Sequence, residues 1–278
     1  MGLSDPDWRS ANRANWNERV AIHLGAAGYE VDSLRAGRGR LHPIEEAEIG
    51  PLGGVRVLHL QCHFGRDSLI LASRGASVLG LDFSPPAIAA ARALAAELGL
   101  AERARFVEAD LYDAPRAIGE PAAFDLVFAT WGTINWLPDI RGWAGIVAHF
   151  LRPGGALYLA EGHPAALVLD DAAPRENTMP GWFAPYFSDG PLVLDDPRDY
   201  ADPTARLTHA RTYEWLHPLG AIVTALIDAG LTLCWLHEHD AVPWRMFELL
   251  VKEPDGMYRW PERPWLPLSF SLRAERRV

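Results

Sequence analysis

With 278 residues and 49% hydrophobic content, the chain is long enough to bury one large α/β core, so one domain with an insertion accounts for it. A formal net charge of −10 and a sequence pI near 5.4 argue against a nucleic-acid backbone as partner, because that partner selects basic surfaces. Cys62 and Cys234 make no disulfide framework, no window approaches the ~18 consecutive apolar residues that span a bilayer, and the N-terminus lacks the apolar core of a secretion signal; a protein of the reducing cytoplasm is expected.

Taken in chain order, Trp8, Trp16, His23 and Tyr29 fit one helix from about Pro6 to Gly25, and Gly37, Gly39 and Pro43 mark a loop before a short helix over 44–49. The stretch Val55 to Ser84 organises the rest of the chain. An apolar run (Val55, Val57, Leu58, Leu60) leads through a turn at Gly65 into helix-compatible Asp67 to Ser73. A second apolar run, Val78 to Leu81, closes on Asp82. The helix is a crossover, so both strands are parallel and end on one edge, where open α/β sheets bind ligands. That edge holds Leu60 to Gly65 and Asp82. Asp82 lies 23 residues beyond His59, near the ~20-residue interval at which an acidic side chain meets ribose hydroxyls. Gln61, Cys62 and His63 carry side chains where a dinucleotide fold has glycines, so an adenosine ligand without a pyrophosphate fits better.

Beyond Asp82, Ser84 can cap a helix that begins at Pro85 and stops at Gly99, and a third strand, 105–108, ends near Asp110 on the ligand edge. Phe124 to Ala129 reads as a buried fourth strand. Asp139 opens a helix with Ile140, Trp143, Val147 and Phe150 on its buried stripe, and Arg152 to Gly155 turn into a fifth strand ending at Glu161. Residues 165–212 are rich in Pro, Asp and Gly yet carry Trp182, Phe183, Tyr186, Phe187 and Tyr200. So long a connection is expected to shape a substrate site, with a hairpin near Leu192 to Asp195 and a strand near Thr208 to Tyr213. A helix from His217 to Gly230 with Ile222, Val223, Leu226 and Ile227 inward precedes two strands, 231–237 and 246–252. The tail from Asp255, with Trp260 and Trp265 among prolines, is expected on the surface or at a homodimer contact.

The run VLHLQCHFGRDS followed by LGLDFS resembles the first two motifs of class I S-adenosylmethionine-dependent methyltransferases, usually an acidic residue followed by G-x-G-x-G. FDLVFATWGTINWLPD resembles the fourth motif, and LRPGG is a turn frequent in the family. His59, Gln61 and His63 depart from the acidic residue and the first two glycines. The resemblance implies a Rossmann-like seven-stranded sheet, mostly parallel with one antiparallel strand, helices on both faces and an insertion after strand 5. It implies one domain: cap helices over 1–50, a cofactor half over 51–162, the insertion over 163–213, and the rest of the sheet with the tail over 214–278. It also implies S-adenosyl-L-methionine as cofactor, S-adenosyl-L-homocysteine as product and a small-molecule acceptor. The implied cofactor residues are His59, Gln61, Cys62, His63, Gly65, Asp82, Phe83, Ser84, Asp110, Leu111, Thr130, Trp131 and Gly132. Asp110 would meet the adenine amino group, and Thr130, Trp131 and Gly132 would lie beside the sulfonium. The N-terminal segment would close the pocket. Trp16, Tyr29, Trp136, Trp182 and Tyr186 are the candidate substrate residues, with Trp131 and Trp136 also offering aromatic faces to a cationic sulfur.

Methyl transfer from a sulfonium is an in-line displacement that depends on alignment, and a protic acceptor also needs a base. Glu161 and His163 are the candidate catalytic residues, His163 first because it follows a strand end and borders the insertion; His217, His237 and His239 stand behind them. Each histidine has a plain structural reading as well. His237 and His239 share a strand face, but no third ligand stands at recognisable spacing, so no metal is expected. Cys62 has no base placed beside it to make a nucleophile. A nicotinamide-dependent oxidoreductase and a non-catalytic relic of the fold are the alternative readings, and the acceptor atom is left open between O, N, C and S.

Overall fold

The computed structural model describes residues 7–173 and 179–277. Seven strands make the main sheet: β1 (Arg56–Leu60), β2 (Ser77–Asp82), β3 (Ala104–Glu108), β4 (Phe124–Thr130), β5 (Leu151–Gly162), β6 (Leu231–His239) and β7 (Ser269–Arg276), in the order 6-7-5-4-1-2-3. Among the described residues, the helices of eight or more residues are α1 (Asp7–Gly25), α2 (Arg66–Ser73), α3 (Pro85–Glu97), α4 (Ile140–Phe150) and α5 (Leu219–Asp228). The sheet is mostly parallel with β7 reversed, as expected. Among the described residues no helix is long and apolar enough to cross a membrane. The chain divides into two compact units, each assembled from separate segments.

The first unit holds the segment ending at Arg40, Leu52–Glu120 and Leu192–Glu214. Its strands β1 and β2 are buried almost throughout, as parallel strands covered on both faces are, and pair Leu58 with Leu79 and Leu60 with Leu81. Gly80 lets β2 pass: a Cβ there would meet the Phe106 ring at 2.6 Å and Cys62 Sγ at 2.8 Å. Ser84 caps α3 by accepting from the Ala87 N–H at 3.4 Å, and Pro85 pre-sets the first turn; Ala87, Ile88, Ala91, Leu94 and Ala95 form the buried face.

Helix α1 does more than flank this sheet. Leu192–Asp195 and Arg211–Glu214 form an antiparallel hairpin, and buried Asn12 binds it as a strand would, donating to Tyr213 O at 2.9 Å and accepting from Tyr213 N at 2.8 Å. Asn15 Nδ2 donates to His209 O at 2.7 Å, and the Glu18 carboxylate accepts from the N–H groups of Thr208 and His209. The far end of the insertion is thereby bonded to the N-terminal helix. Residue Pro6, the expected start of α1, lies outside the described residues.

The second unit holds Leu41–Pro51, Pro121–Pro191 and the segment from Trp215 on. In it the C-terminal expectation needs correction. Residues 246–252 do not supply a strand of the main sheet: Val251–Lys252 belong to a small three-stranded sheet with Ala241–Val242 and Tyr258–Arg259, around Phe247, Leu250 and Trp260. The strand comes from the tail. β7 lies between β5 and β6, antiparallel to both, with Phe270, Leu272 and Ala274 wholly buried. A short apolar-alternating strand can sit centrally once both neighbours satisfy its backbone. Ile227, expected inward on α5, is 55% exposed, while Ile222, Ala225 and Leu226 carry the buried face. β5 also starts earlier than the Arg152 to Gly155 turn suggested, at Leu151.

Candidate active site

In the first unit the turn after β1 keeps a glycine-type backbone without the glycines. Gln61, His63 and Gly65 have φ of 54°, 51° and 76°, all in the left-handed region. A side chain there costs roughly 1–2 kcal/mol per residue. Only at Gly65 is a side chain sterically barred as well, since a Cβ would lie 2.7 Å from the Phe106 ring and 3.0 Å from Ala91 Cβ. The Cys62 N–H donates to Leu81 O and the Gly65 N–H to Cys62 O, both at 2.9 Å, which binds the turn to the end of β2.

At that end Asp82 is 6% exposed, and its Oδ2 accepts the His63 N–H at 2.8 Å while Oδ1 accepts the Ser84 N–H at 2.9 Å. Burial pushes its carboxyl up to about 6, against the pull of the Ser84, His63 and Phe83 N–H groups. An ionised carboxylate has about four acceptor positions. The two backbone bonds of hydrogen-bond geometry, from His63 and Ser84, take one position on each oxygen and leave one on each, a donor–acceptor match for the two neighbouring hydroxyls of a ribose. Ser84 Oγ donates to Asn17 Oδ1 at 2.7 Å, joining this corner to α1, and Phe83 carries the Arg13 guanidinium over its ring.

The other expected cofactor residues of this unit have partners of their own. His59, where the family pattern is acidic, is buried with Nδ1 2.7 Å from Ser68 Oγ, and burial lowers it to about 4, so it is a neutral side chain. The Cys62 thiol is buried, pushed well up by burial and directed at His63 O, which leaves no thiolate for nucleophilic chemistry. Asp110 accepts the Tyr112 N–H at 3.0 Å, so it caps the turn that follows β3, and lies 3.6 Å from Arg9 Nε; Leu111 beside it is buried.

A cluster that the sequence did not announce adjoins this turn. His23 is wholly buried and approaches His63 Nε2 through Nδ1 at 3.0 Å and Asp199 Oδ2 through Nε2 at 3.1 Å. Arg19 Nη1 donates to the same Asp199 oxygen at 2.8 Å, while Asp199 Oδ1 accepts the Ala201 and Asp202 N–H groups. Burial opposes ionisation of Asp199, but the His23 bond and charge, the Ala201 N–H and Arg19 outweigh it, and the carboxyl stands at about 2. Burial lowers His23, and lowers His63 well below the ordinary histidine range, with neighbouring His23 and Arg19 acting the same way on His63. The Tyr29 ring stacks on His23 at 4.6 Å, and Trp16 meets the His63 ring edge-on at 5.3 Å. Trp16, Arg19 and His23 at helical spacing on α1 were the one visible hint. Nothing local could indicate Asp199, 176 positions away.

In the second unit, Thr130 ends β4, and Trp131 (φ 55°) and Gly132 (φ 78°) turn the chain sharply. Trp131 Nε1 donates to Glu45 Oε1 at 2.6 Å. Buried Glu161 holds this turn: its Oε2 accepts Gly132 N–H at 2.6 Å, and Oε1 accepts Thr133 N–H at 2.6 Å, Thr133 Oγ1 at 2.5 Å and Ile134 N–H at 3.1 Å. Burial raises the Glu161 carboxyl, and those four bonds pull it back. His163 Nδ1 accepts the Ala165 N–H at 3.1 Å, so its proton is on Nε2, which donates to Glu238 at 3.0 Å; both nitrogens are engaged. Trp136 is half-buried, Trp182 is 78% exposed, and the Tyr186 hydroxyl accepts the Leu219 N–H at the start of α5. His237 is bonded to Glu48 and His239 to Ser271 Oγ. Among the described residues no three His, Cys, Asp or Glu side chains gather to hold a metal ion.

Residues 57–155 match the protein family described as methyltransferase domain. The chain is 34% identical over 112 residues to a ubiquinone biosynthesis O-methyltransferase of Xylella fastidiosa, covering 40% of this chain and 43% of that protein. It is 39% identical over 111 residues to a demethylmenaquinone methyltransferase of Thermus thermophilus, covering 39% and 48%. The matched stretch thus spans less than half the length of each of these curated relatives. The fold is similar to that of an S-adenosylmethionine-dependent methyltransferase from Mesorhizobium loti, with TM-score 0.61, 23% identity and 84% of this chain against 96% of that one. It is also similar to a geranyl diphosphate C-methyltransferase from Streptomyces coelicolor, with TM-score 0.52, 13% identity, and 99% of this chain against 86% of that one.

Proposed function

We propose that this chain, whose residues 57–155 match a methyltransferase domain, is a class I S-adenosylmethionine-dependent methyltransferase that transfers a methyl group from S-adenosyl-L-methionine to a small-molecule acceptor by in-line displacement. The carrying observation is the Asp82 carboxylate, set at the end of β2 by two backbone N–H groups with one acceptor position left on each oxygen. Asp82 would hold the ribose, Asp110 and Leu111 the adenine, and Phe83 its flank. Gln61, His63 and Gly65 carry the backbone of the turn. Thr130, Trp131 and Gly132 are assigned to the sulfonium side, and Trp16, Tyr29, Trp136, Trp182 and Tyr186 to the acceptor. The cofactor supplies a methyl carbon bonded to a cationic sulfur; the protein's part is to align the acceptor behind that carbon and exclude water. A proton-transfer role for His163 requires one of its present hydrogen bonds to open during turnover, and one for Glu161 would fall to Oε2, which accepts only the Gly132 N–H.

The relatives are named for ubiquinone biosynthesis and demethylmenaquinone, and that favours a small organic acceptor here. A net charge of −10 disfavours nucleic acid, and the cytoplasm and a homodimer complete the proposal. Isothermal titration with S-adenosyl-L-homocysteine and NAD tests it: binding of the former supports methyl transfer, whereas binding of NAD alone supports the oxidoreductase and silence of both supports the relic. Screening small metabolites for tritiated methyl incorporation then identifies the acceptor.

A further inference from the structure

We propose that His63 is the general base for a protic acceptor, its Nδ1 lone pair fixed by an Asp199–His23–His63 relay; this rests on the methyl-transfer reading. Each proton position in the relay determines the next. Asp199 Oδ2 is an acceptor already bonded by the Arg19 guanidinium, so His23 Nε2, 3.1 Å away, is a donor. In the neutral ring that leaves His23 Nδ1 as an acceptor, and the atom 3.0 Å from it, His63 Nε2, therefore carries a proton. Neutral His63 then has its lone pair on Nδ1, to which no described residue donates.

The charges facing the His23–His63 pair support a neutral resting state: Arg19 comes from α1, Asp199 from the insertion, and Asp82 from β2. Arg19 and the carboxylate it binds offset one another, and the aromatic rings of Trp16, Tyr29 and Phe64 pack around the half-buried His63 ring at centroid distances of 5.3, 5.9 and 4.7 Å. A positive charge on His63 during turnover would pass its influence through His23 to Asp199, as a carboxylate steadies an imidazolium in a hydrolase triad.

The position suits the chemistry. The His63 N–H shares the Asp82 carboxylate with the hydroxyls proposed to bind there, and the sulfonium is bonded to the 5′ carbon of that same ribose. The acceptor's O–H or N–H proton goes to His63 Nδ1. The electron pair freed on that oxygen or nitrogen forms the bond to the methyl carbon, and the pair of the breaking carbon–sulfur bond stays on sulfur as a neutral thioether. Both nitrogens of His163 are engaged, and Glu161 is committed to the Gly132–Ile134 turn through four bonds; neither is held by a relay of the Asp199–His23 kind.

Long-range proton–nitrogen spectra of the 15N-labelled full chain at pH 7.5 test the relay. A coupling across the hydrogen bond between two imidazole nitrogens identifies the His23–His63 pair without any variant. The expected result is Nε2–H on both rings, with Asp199→Asn weakening that preference on both. A proton on His63 Nδ1, an imidazolium at either ring, or spectra unmoved by Asp199→Asn overturns the proposal. Asparagine tolerates a left-handed backbone, so His63→Asn is the activity probe. It should keep S-adenosyl-L-homocysteine affinity within threefold and lower turnover of a hydroxyl or amine acceptor by ~100-fold or more; wild-type turnover overturns the assignment. If the wild type fails to bind S-adenosyl-L-homocysteine, the methyl-transfer reading falls on its own, whatever the tautomers.

Discussion

The backbone N–H of His63 donates to Asp82 Oδ2 at 2.8 Å, so the left-handed turn after β1 and the carboxylate that ends β2 form one piece. A residue that the family pattern makes glycine thus spends its backbone on the Asp82 carboxylate and keeps its side chain for a second set of partners. The consequence is a buried carboxylate with a raised proton affinity, steered but not neutralised by its surroundings.

If Asp82 holds the ribose as proposed, that raised affinity should make cofactor binding acid-sensitive. Hydroxyl donors bond the ionised carboxylate, and Asp82 takes a proton near pH 6. Affinity for S-adenosyl-L-homocysteine should be flat above about pH 7 and fall as pH drops through 6, by at most tenfold per unit for one proton. Titration from pH 5.5 to 8 measures it; affinity that rises in acid contradicts the assignment.

Gln61 lies in the left-handed region at φ 54°, a conformation glycine takes without steric cost. Gln61→Gly should therefore stabilise the fold by about 1 kcal/mol, seen as a rise of roughly 2–4 °C in Tm. A fall in Tm would show that the glutamine side chain contributes more than its backbone costs.

Phe270 is wholly buried in β7, a segment whose sequence context suggested an exposed tail. Phe270→Ala should cost ~3–5 kcal/mol in denaturant unfolding. A loss under about 0.5 kcal/mol is what a surface position gives.

Each unit is assembled from separate stretches of chain, and the insertion's 192–214 stretch belongs with the N-terminal helix. Glu18→Ala removes the acceptor of the Thr208 and His209 N–H groups and should expose the 203–210 loop to protease before the sheet unfolds. Limited proteolysis with cleavage sites read by mass spectrometry decides it; a wild-type cleavage pattern contradicts the docking.

Much of the fold was legible where the signal is local. The apolar runs around Gly65, the Ser84 cap and the closing Asp82 gave the strand–helix–strand unit because period and punctuation reside in adjacent residues. β7 was hidden because the prolines and tryptophans of 260–267 dominate the tail, while Phe270, Leu272 and Ala274 make only a short alternation. A hairpin near Leu192 to Asp195 and a separate strand near Thr208 to Tyr213 were expected, but the two stretches are the arms of one hairpin, and its docking on Asn12 and Asn15 depends on side-chain bonds across about 200 residues. His23 and Asp199 escaped for the same reason: their partnership exists only in three dimensions.

The proposed function depends above all on Asp82 gripping the ribose of an adenosyl sulfonium cofactor. Isothermal titration of S-adenosyl-L-homocysteine into the wild type and Asp82→Ala at pH 7.5, with circular dichroism confirming that both are folded, tests that grip directly. Saturable binding to the wild type and at least tenfold weaker binding to the variant are expected. Equal affinities, or no binding to either, would refute the ribose role.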